Sequence, residues 1–183
     1  MNAEPTQVHR MAPLIRGTLV TLYLALVLPL PALVPAGLGA PGLRLLLALA
    51  LPLGLLLVLA ATSEQVELDA SGLRVGHPRW CAWLLRRGWS LPWSAISDLT
   101  PVATSQGGRV FYVRTADGSA ALLPQRVAHF EAFLERFSAA SGIDTSAVGR
   151  ISPPWTYQLL AVLSALLLGG ELFALALVRP WAL

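Results

Sequence analysis

Hydrophobic and polar positions divide this chain into three long apolar runs and one stretch that alternates. Gly17 to Leu38, Leu45 to Thr62 and Tyr157 to Val178 are almost unbroken in apolar residues. At ~1.5 Å per residue, runs of this length cross a hydrocarbon core ~30 Å thick. Pro29, Pro31 and Pro35 crowd the second half of the first run. Each removes a backbone donor and clashes with the preceding turn, which predicts a kink or an early end there. A turn at Gly39 to Leu43 joins the first two runs into a helical hairpin. A cleaved signal peptide is the rival reading of the first run, and the second run that follows almost at once argues against it.

Residues 63–143 behave differently. Glu64-Gln-Val-Glu-Leu68 and Leu73-Arg-Val75 alternate around the turn Asp69-Ala-Ser-Gly72, as a strand hairpin at one edge of a small sheet does. Arg109 to Thr115 and Ser119 to Pro124 flank the Asp117-Gly118 pair, a second hairpin signal. From Gln125 to Ser141, Val127, Phe130, Phe133, Leu134 and Phe137 recur every three or four residues, and Gly142 follows as a stop. Strands first and one packing helix last predict a small α+β domain. The domain order expected is a polar tail at 1–16, the spanning hairpin at 17–62, the water-exposed domain at 63–143, a linker at 144–156 ending in Pro153-Pro154, a third span at 157–178 and a far-side tail at 179–183.

Composition sharpens this into a membrane protein. Hydrophobic residues make up 55% and charged residues 13% of the 183, where a soluble domain carries ~25% charged. Mean hydropathy is +0.63. All 13 basic residues are arginines and they are dispersed, so the net charge of +3 implies no nucleic-acid partner. The tail and the 63–156 segment together hold eleven arginines, against Arg44 and Arg179 opposite. The positive-inside rule therefore places the tail and the domain in the cytoplasm, or its equivalent, of an inner, plasma or thylakoid-type membrane. Cys81 is the single cysteine, which excludes an internal disulfide and fits a reducing compartment.

Candidate chemistry is sparse. Trp80, Trp83 and Trp89 interleave with Arg79, Arg86 and Arg87, a mixture suited to lipid headgroups or to a partner, or alternatively to packing inside the domain. Trp155 and Tyr157 stand where an aromatic belt marks the bilayer surface. Glu171 is the acidic residue inside the third span, and Arg44 is its expected ion-pair partner. Ala161, Ala165 and Gly169 form a small-residue stripe that permits close helix packing. Thr104-Ser-Gln-Gly-Gly108 leads into a strand rather than a helix, and so reads as a hairpin tip rather than a phosphate cradle. His9, His77 and His129 share no metal-ligand spacing, and no catalytic motif appears; neither a metal nor a cofactor is expected.

Leu91-Pro-Trp-Ser-Ala-Ile96, following the arginine-bearing segment and preceding two more strands and a closing helix, resembles the bacterial pleckstrin-homology-like domains attached to membrane hairpins. The resemblance covers roughly residues 64–143 and implies a binding fold without catalytic residues. A similar design belongs to an assembly factor for photosystem I. In lipid-binding pleckstrin domains the first hairpin turn is basic, whereas here it is Asp69-Ala-Ser-Gly72, which argues against inositol-phosphate binding at that turn. The expectation is an α+β membrane protein with three transmembrane helices and a pleckstrin-homology-like domain between the second and third. It is not an enzyme, and it binds the bilayer surface or a membrane-complex protein. The alternative is a small transport or channel accessory subunit that uses Glu171.

Overall fold

The computed structural model describes residues 6–35, 37, 39–85, 88–105, 107–150 and 152–178. Its elements run β1 (Gln7–Arg10), α1 (Pro13–Val27), α2 (Leu30–Leu33), α3 (Ala40–Ala61), β2 (Gln65–Leu68), β3 (Gly72–Gly76), β4 (Trp89–Pro92), β5 (Ile96–Ala103), β6 (Arg109–Thr115), β7 (Ala120–Leu122), α4 (Phe130–Ser141) and α5 (Pro154–Val178). They form two compact units, Met1–Ala12 with Ser63–Pro153, and Pro13–Thr62 with Pro154–Leu183.

The first unit holds two antiparallel sheets, β1-β2-β3-β4 and β5-β6-β7. The expected hairpin forms: Asp69 accepts from the Ser71 and Gly72 N–H groups at 2.7 and 3.0 Å and so closes the turn between β2 and β3. A side chain on Gly72 would run into the Leu91 carbonyl of β4, which is why the turn needs glycine there. The hairpin is not at the sheet's edge, however. Gln7 to Arg10, which polarity reads as tail, pairs with Leu68 to Gln65 as an edge strand. Its apolar residue Val8 points outward at 46% exposed, while His9 turns inward edge-on to Phe133, so the pattern is the reverse of a half-buried strand's. The helical hairpin is thus inserted between two neighbouring strands of one sheet.

Inward-facing residues of both sheets and one side of α4 make the core: Val66, Leu73, Val113, Leu123, Phe133 and Phe137 are its most buried members. Phe130 stacks on Phe133 with ring centroids 6.0 Å apart. The helix starts at Phe130 rather than Gln125 because the preceding backbone is committed elsewhere. Ala12 N–H donates to Arg126, Ala128 N–H donates to Arg10, and Met11 bridges to Val127. His129 then takes a left-handed conformation, φ 52°, immediately before the helix. At the other end the left-handed Gly142 stops it as expected, with its N–H on Ser138. The expected linker packs in part on this unit: Val148 is buried, and the Gln125 amide donates to the Gly149 carbonyl at 2.7 Å.

Leu91 to Ile96 is a corner rather than one continuous strand. β4 ends at Pro92, Trp93 to Ala95 makes a 3-10 turn, and β5 begins at Ile96. The Trp93 indole donates to the Asp69 carbonyl at 2.9 Å and meets Phe137 edge-on, joining the β2–β3 turn to α4.

In the second unit, three helical stretches are long and apolar enough to cross a membrane: Pro13–Leu33, Ala40–Ala61 and Trp155–Leu177. The first and second begin a few residues earlier than expected, and Arg16 lies within α1. The break expected from the prolines falls between α1 and α2, at Pro29. α1 packs along both α3 and α5. Gly54 makes the α1–α3 approach possible: a side chain there would occupy the place of the Tyr23 hydroxyl, which donates to the Leu51 carbonyl at 2.7 Å. On α5 the covered positions are Tyr157, Leu160, Ala161, Ser164, Leu168, Glu171 and Leu175, whereas Ala165 and Gly169 of the expected stripe are exposed.

A candidate docking loop and the groups around it

Residues 77–88 connect β3 to β4 and contain most of the Trp/Arg segment. Their departure and return are fixed by paired glycines. Gly88 passes so close to β3 that a side chain there would strike the Val75 carbonyl and Gly76 Cα. Turns at Pro78 and Cys81 curl the loop, with N–H groups of Cys81 and Ala82 on the Pro78 carbonyl at 3.1 and 3.0 Å. Cys81 is the loop's buried plug, its sulfur 3.1 Å from the Ser63 hydroxyl.

With Cys81 inward, its neighbours turn out. Trp83 is 80% exposed and Trp80 48%, with Leu84 exposed beside them. The Trp83 indole N–H donates to the Trp80 carbonyl at 2.9 Å, which holds the ring on the outside of the loop. Arg79 is exposed on the same loop. Arg86 and Arg87 lie outside the described residues. Trp89 separates from this group: it opposes Val75 across the ladder and packs against the core, because the β4 alternation sends residues 89 and 91 to the inner face.

A polar cavity of about 590 Å³ adjoins the loop on the outer face of the first sheet, lined by Gln65, Glu67, Arg74, His77, Arg79 and Ser90 among others. Register brings them together: Glu67 opposes Arg74, and Arg74 opposes Ser90. The Gln65 amide donates to the Glu67 carboxylate at 2.9 Å. Among the described residues neither Arg74 nor Arg79 has a hydrogen bond or ion pair, and His77 Nδ1 is buried without a partner. Sequence reasoning missed Arg74 and His77. The signal was the alternation itself, which puts Arg74 on the outer face of a strand flanked by glycine-bearing ends.

The shifted carboxylates lie elsewhere, at turns and caps. The Thr115 hydroxyl and the Ser119 N–H hold Asp117 down to about 2. Ser71 lowers Asp69, Arg150 lowers Glu131, and the Ser146 N–H lowers Asp144. These are structural hydrogen bonds rather than tuned catalytic groups.

The expected Arg44–Glu171 pair does not form. Arg44 Nη2 donates instead to the Val34 carbonyl at 2.8 Å, since the break after α2 leaves that carbonyl outside any helix. Glu171 Oε2 is buried without a hydrogen-bond partner among the described residues.

No family model matches the chain, and no solved structure matches it. It is similar to the uncharacterized protein slr0269 of Synechocystis sp. (strain ATCC 27184 / PCC 6803 / Kazusa), with 42% identity over 166 residues that cover 90% of this chain and 83% of the relative.

Proposed function

The chain belongs to the family of that Synechocystis protein, and from that premise we propose that it is a non-enzymatic, membrane-anchored docking protein serving the assembly or stability of a membrane complex. Its water-exposed unit settles on the bilayer surface through loop 77–88 and offers the outer face of its last strands to a protein of that complex. The observation that carries this reading is the exposure of Trp83 and Trp80 beside Arg79 on a loop anchored by Cys81. Indoles left uncovered next to guanidinium groups suit the headgroup zone, where the ring is half in hydrocarbon and the charge meets phosphate.

The fold supports a binding module. Two small antiparallel sheets, of four and three strands, and one closing helix are compatible with a pleckstrin-homology-like domain and support that reading. On the second sheet the register aligns Thr100, Tyr112 and Leu122 across three strands, with Val102 and Val110 beside them. Val102 and Leu122 are exposed there, which gives an apolar strip for a partner. The distribution of arginines supports a cytoplasmic position for the unit.

A photoreactive amino acid at position 83 or 122 tests both halves in the native membrane. Lipid adducts at 83 and one stoichiometric protein adduct at 122 are expected; a protein adduct at 83 moves the loop to the partner interface, and no adduct at either position overturns the reading. The unpartnered Glu171 Oε2 favours a second reading, an accessory subunit of a transport system. Glu171→Gln abolishes function in that case and leaves a docking protein working.

A further inference from the structure

Beside the docking loop, the polar cavity on the outer face of β2, β3 and β4 has a composition of its own. Two arginines without partners among the described residues, Arg74 on the sheet and Arg79 on the loop, line the same space as Glu67 and Ser90. Unpaired guanidinium forks are matched to phosphate oxygens. His77 lines the same cavity at the loop's base. A simple inorganic anion does not explain the rest of the lining, because Glu67 repels it. A phosphodiester that also carries hydroxyl groups fits both signs: the phosphate on the arginines, and hydroxyl donors on Glu67 and Ser90.

The source of such a group follows from the chain. β2 begins three residues after the second span-length helix has ended at Ala61 and its cap at Thr62, and Gly76 at the loop's start pairs with Gln65 at the start of β2. This end of the sheet is therefore the one connected to the apolar runs by the fewest residues. The opposite end carries the acidic turn at Asp69, which holds no arginine. We propose that the cavity lined by Arg74, Arg79, His77, Glu67 and Ser90 is a headgroup site for a hydroxyl-bearing acidic phospholipid of the protein's own bilayer, of the phosphatidylglycerol class. The proposal rests on the reading that loop 77–88 faces the membrane surface, and it names what that surface supplies. A volume of about 590 Å³ accommodates a glycerophosphoryl group with ordered water. Gly76 and Gly88 line the cavity where the loop leaves and returns.

The test uses the full chain in maltoside micelles, titrated by calorimetry and phosphorus NMR with dihexanoyl-phosphatidylglycerol, dihexanoyl-phosphatidylcholine and inorganic phosphate. Saturable binding of the glycerol lipid is expected, with the choline lipid and inorganic phosphate at least tenfold weaker. Arg74→Gln with Arg79→Gln lowers the affinity at least tenfold. Both side chains are exposed, so its melting curve stays at the wild-type position and reports an intact fold. Equal binding of the choline lipid, or an unchanged affinity in the double variant, overturns the site. Inorganic phosphate binding as tightly as the glycerol lipid overturns the lipid assignment. Trp80→Ser with Trp83→Ser separates the two readings: it removes surface docking and leaves the short-chain lipid bound in micelles. Absence of lipid adducts at position 83 with the cavity still filled thus counts against only the docking loop, whereas an empty cavity with lipid adducts still forming at position 83 counts against only the headgroup site.

Discussion

The two units differ in what they expose and in where their polar groups lie. In the first, burial follows hydrophobicity: the phenylalanines of α4 and the valines and leucines of the sheets are inside, and charges are outside. In the second, leucines cover the exterior, Leu49 at 64% exposed among them, while Thr18, Ser164 and the hydroxyl of Tyr23 point between helices. The contrast reports the solvent of each unit. Water drives apolar groups inward, whereas lipid accepts leucine freely and leaves helix contacts to small and hydrogen-bonding residues. Each inward hydroxyl has its acceptor: Thr18 on the Leu14 carbonyl and Ser164 on the Leu160 carbonyl, both at 2.7 Å.

The largest effect that checks this contrast is Phe133→Ala. Phe133 is fully buried between Phe130 and Phe137, and its truncation destabilises the water-exposed unit by about 3–5 kcal/mol. Leu49→Ala changes far less, because the side chain faces outward. Denaturant unfolding in micelles, followed by protease protection of each unit, reads both; an equal cost for the two substitutions would show that α3 is packed against protein at Leu49. Next in size is the Tyr23–Gly54 contact. Gly54→Ala forces the Tyr23 ring out of the α1–α3 seam, and Tyr23→Phe in the same chain recovers part of the lost folded yield by removing the atom that clashes first. Tyr23→Phe alone costs about 1 kcal/mol, the usual worth of an interhelical hydrogen bond in a membrane. Absence of rescue means that the clash is not what Gly54 avoids.

The same contrast explains what was legible in the sequence. The spans, the β2–β3 and β6–β7 hairpins and the stop at Gly142 were readable because period and turn chemistry agreed there. β1 was not, since its one apolar side chain points to water and its place is decided by pairing with β2 and by residues 126–128. The start of α4 was missed for the same reason: residues 126–128 spend their backbone groups on β1 before the helix begins. Of the candidate site, Trp80, Trp83 and Arg79 were visible as a cluster. Trp89 belongs to the inner face, and Arg74 joins the loop only through the β3–β4 register. Arg44 and Glu171 looked complementary by charge and depth, but the break after α2 created a nearer acceptor for Arg44 at Val34.

A smaller effect concerns His9, a polar ring facing the core of the water-exposed unit. Burial lowers its pKa below the ordinary 6.5, with Arg136 and His129 lowering it further, while a hydrogen bond with the Ala128 backbone pulls the other way. The folded state thus binds fewer protons than the unfolded chain as pH falls below ~6.5. Stability of this unit is greatest above that pH and is lost as pH falls toward the lower, folded pKa. Asp69, Asp117, Glu131 and Asp144 are lowered as well, but their contributions fade only at the acid end of the carboxylate range. Unfolding curves between pH 7 and pH 5 therefore isolate the histidine. His9→Phe keeps a ring against Phe133 and flattens that dependence; an unchanged slope assigns it to another group.

The smallest effect comes from two glutamates in unlike surroundings. Glu131 is exposed and takes the Arg150 guanidinium at 2.9 and 3.1 Å. An ion pair in water is offset by the cost of desolvating and ordering both side chains, so Glu131→Gln costs less than ~1 kcal/mol, and salt screens even that. Glu171 sits on the covered face of α5, and its buried Oε2 has no hydrogen-bond partner among the described residues. A buried carboxyl group has no such cushion, and replacing it with an amide relieves rather than weakens the helix packing. Glu171→Gln is accordingly neutral or slightly stabilising in thermal unfolding of the micellar chain, and insensitive to salt. A marked loss of stability on Glu171→Gln would reveal a donor bound to that carboxyl in the assembled membrane unit. The same substitution then compares the two solvents with one atom changed, since a glutamate that matters little in water because it is screened differs from one that is tolerated in lipid only while something neutralises it.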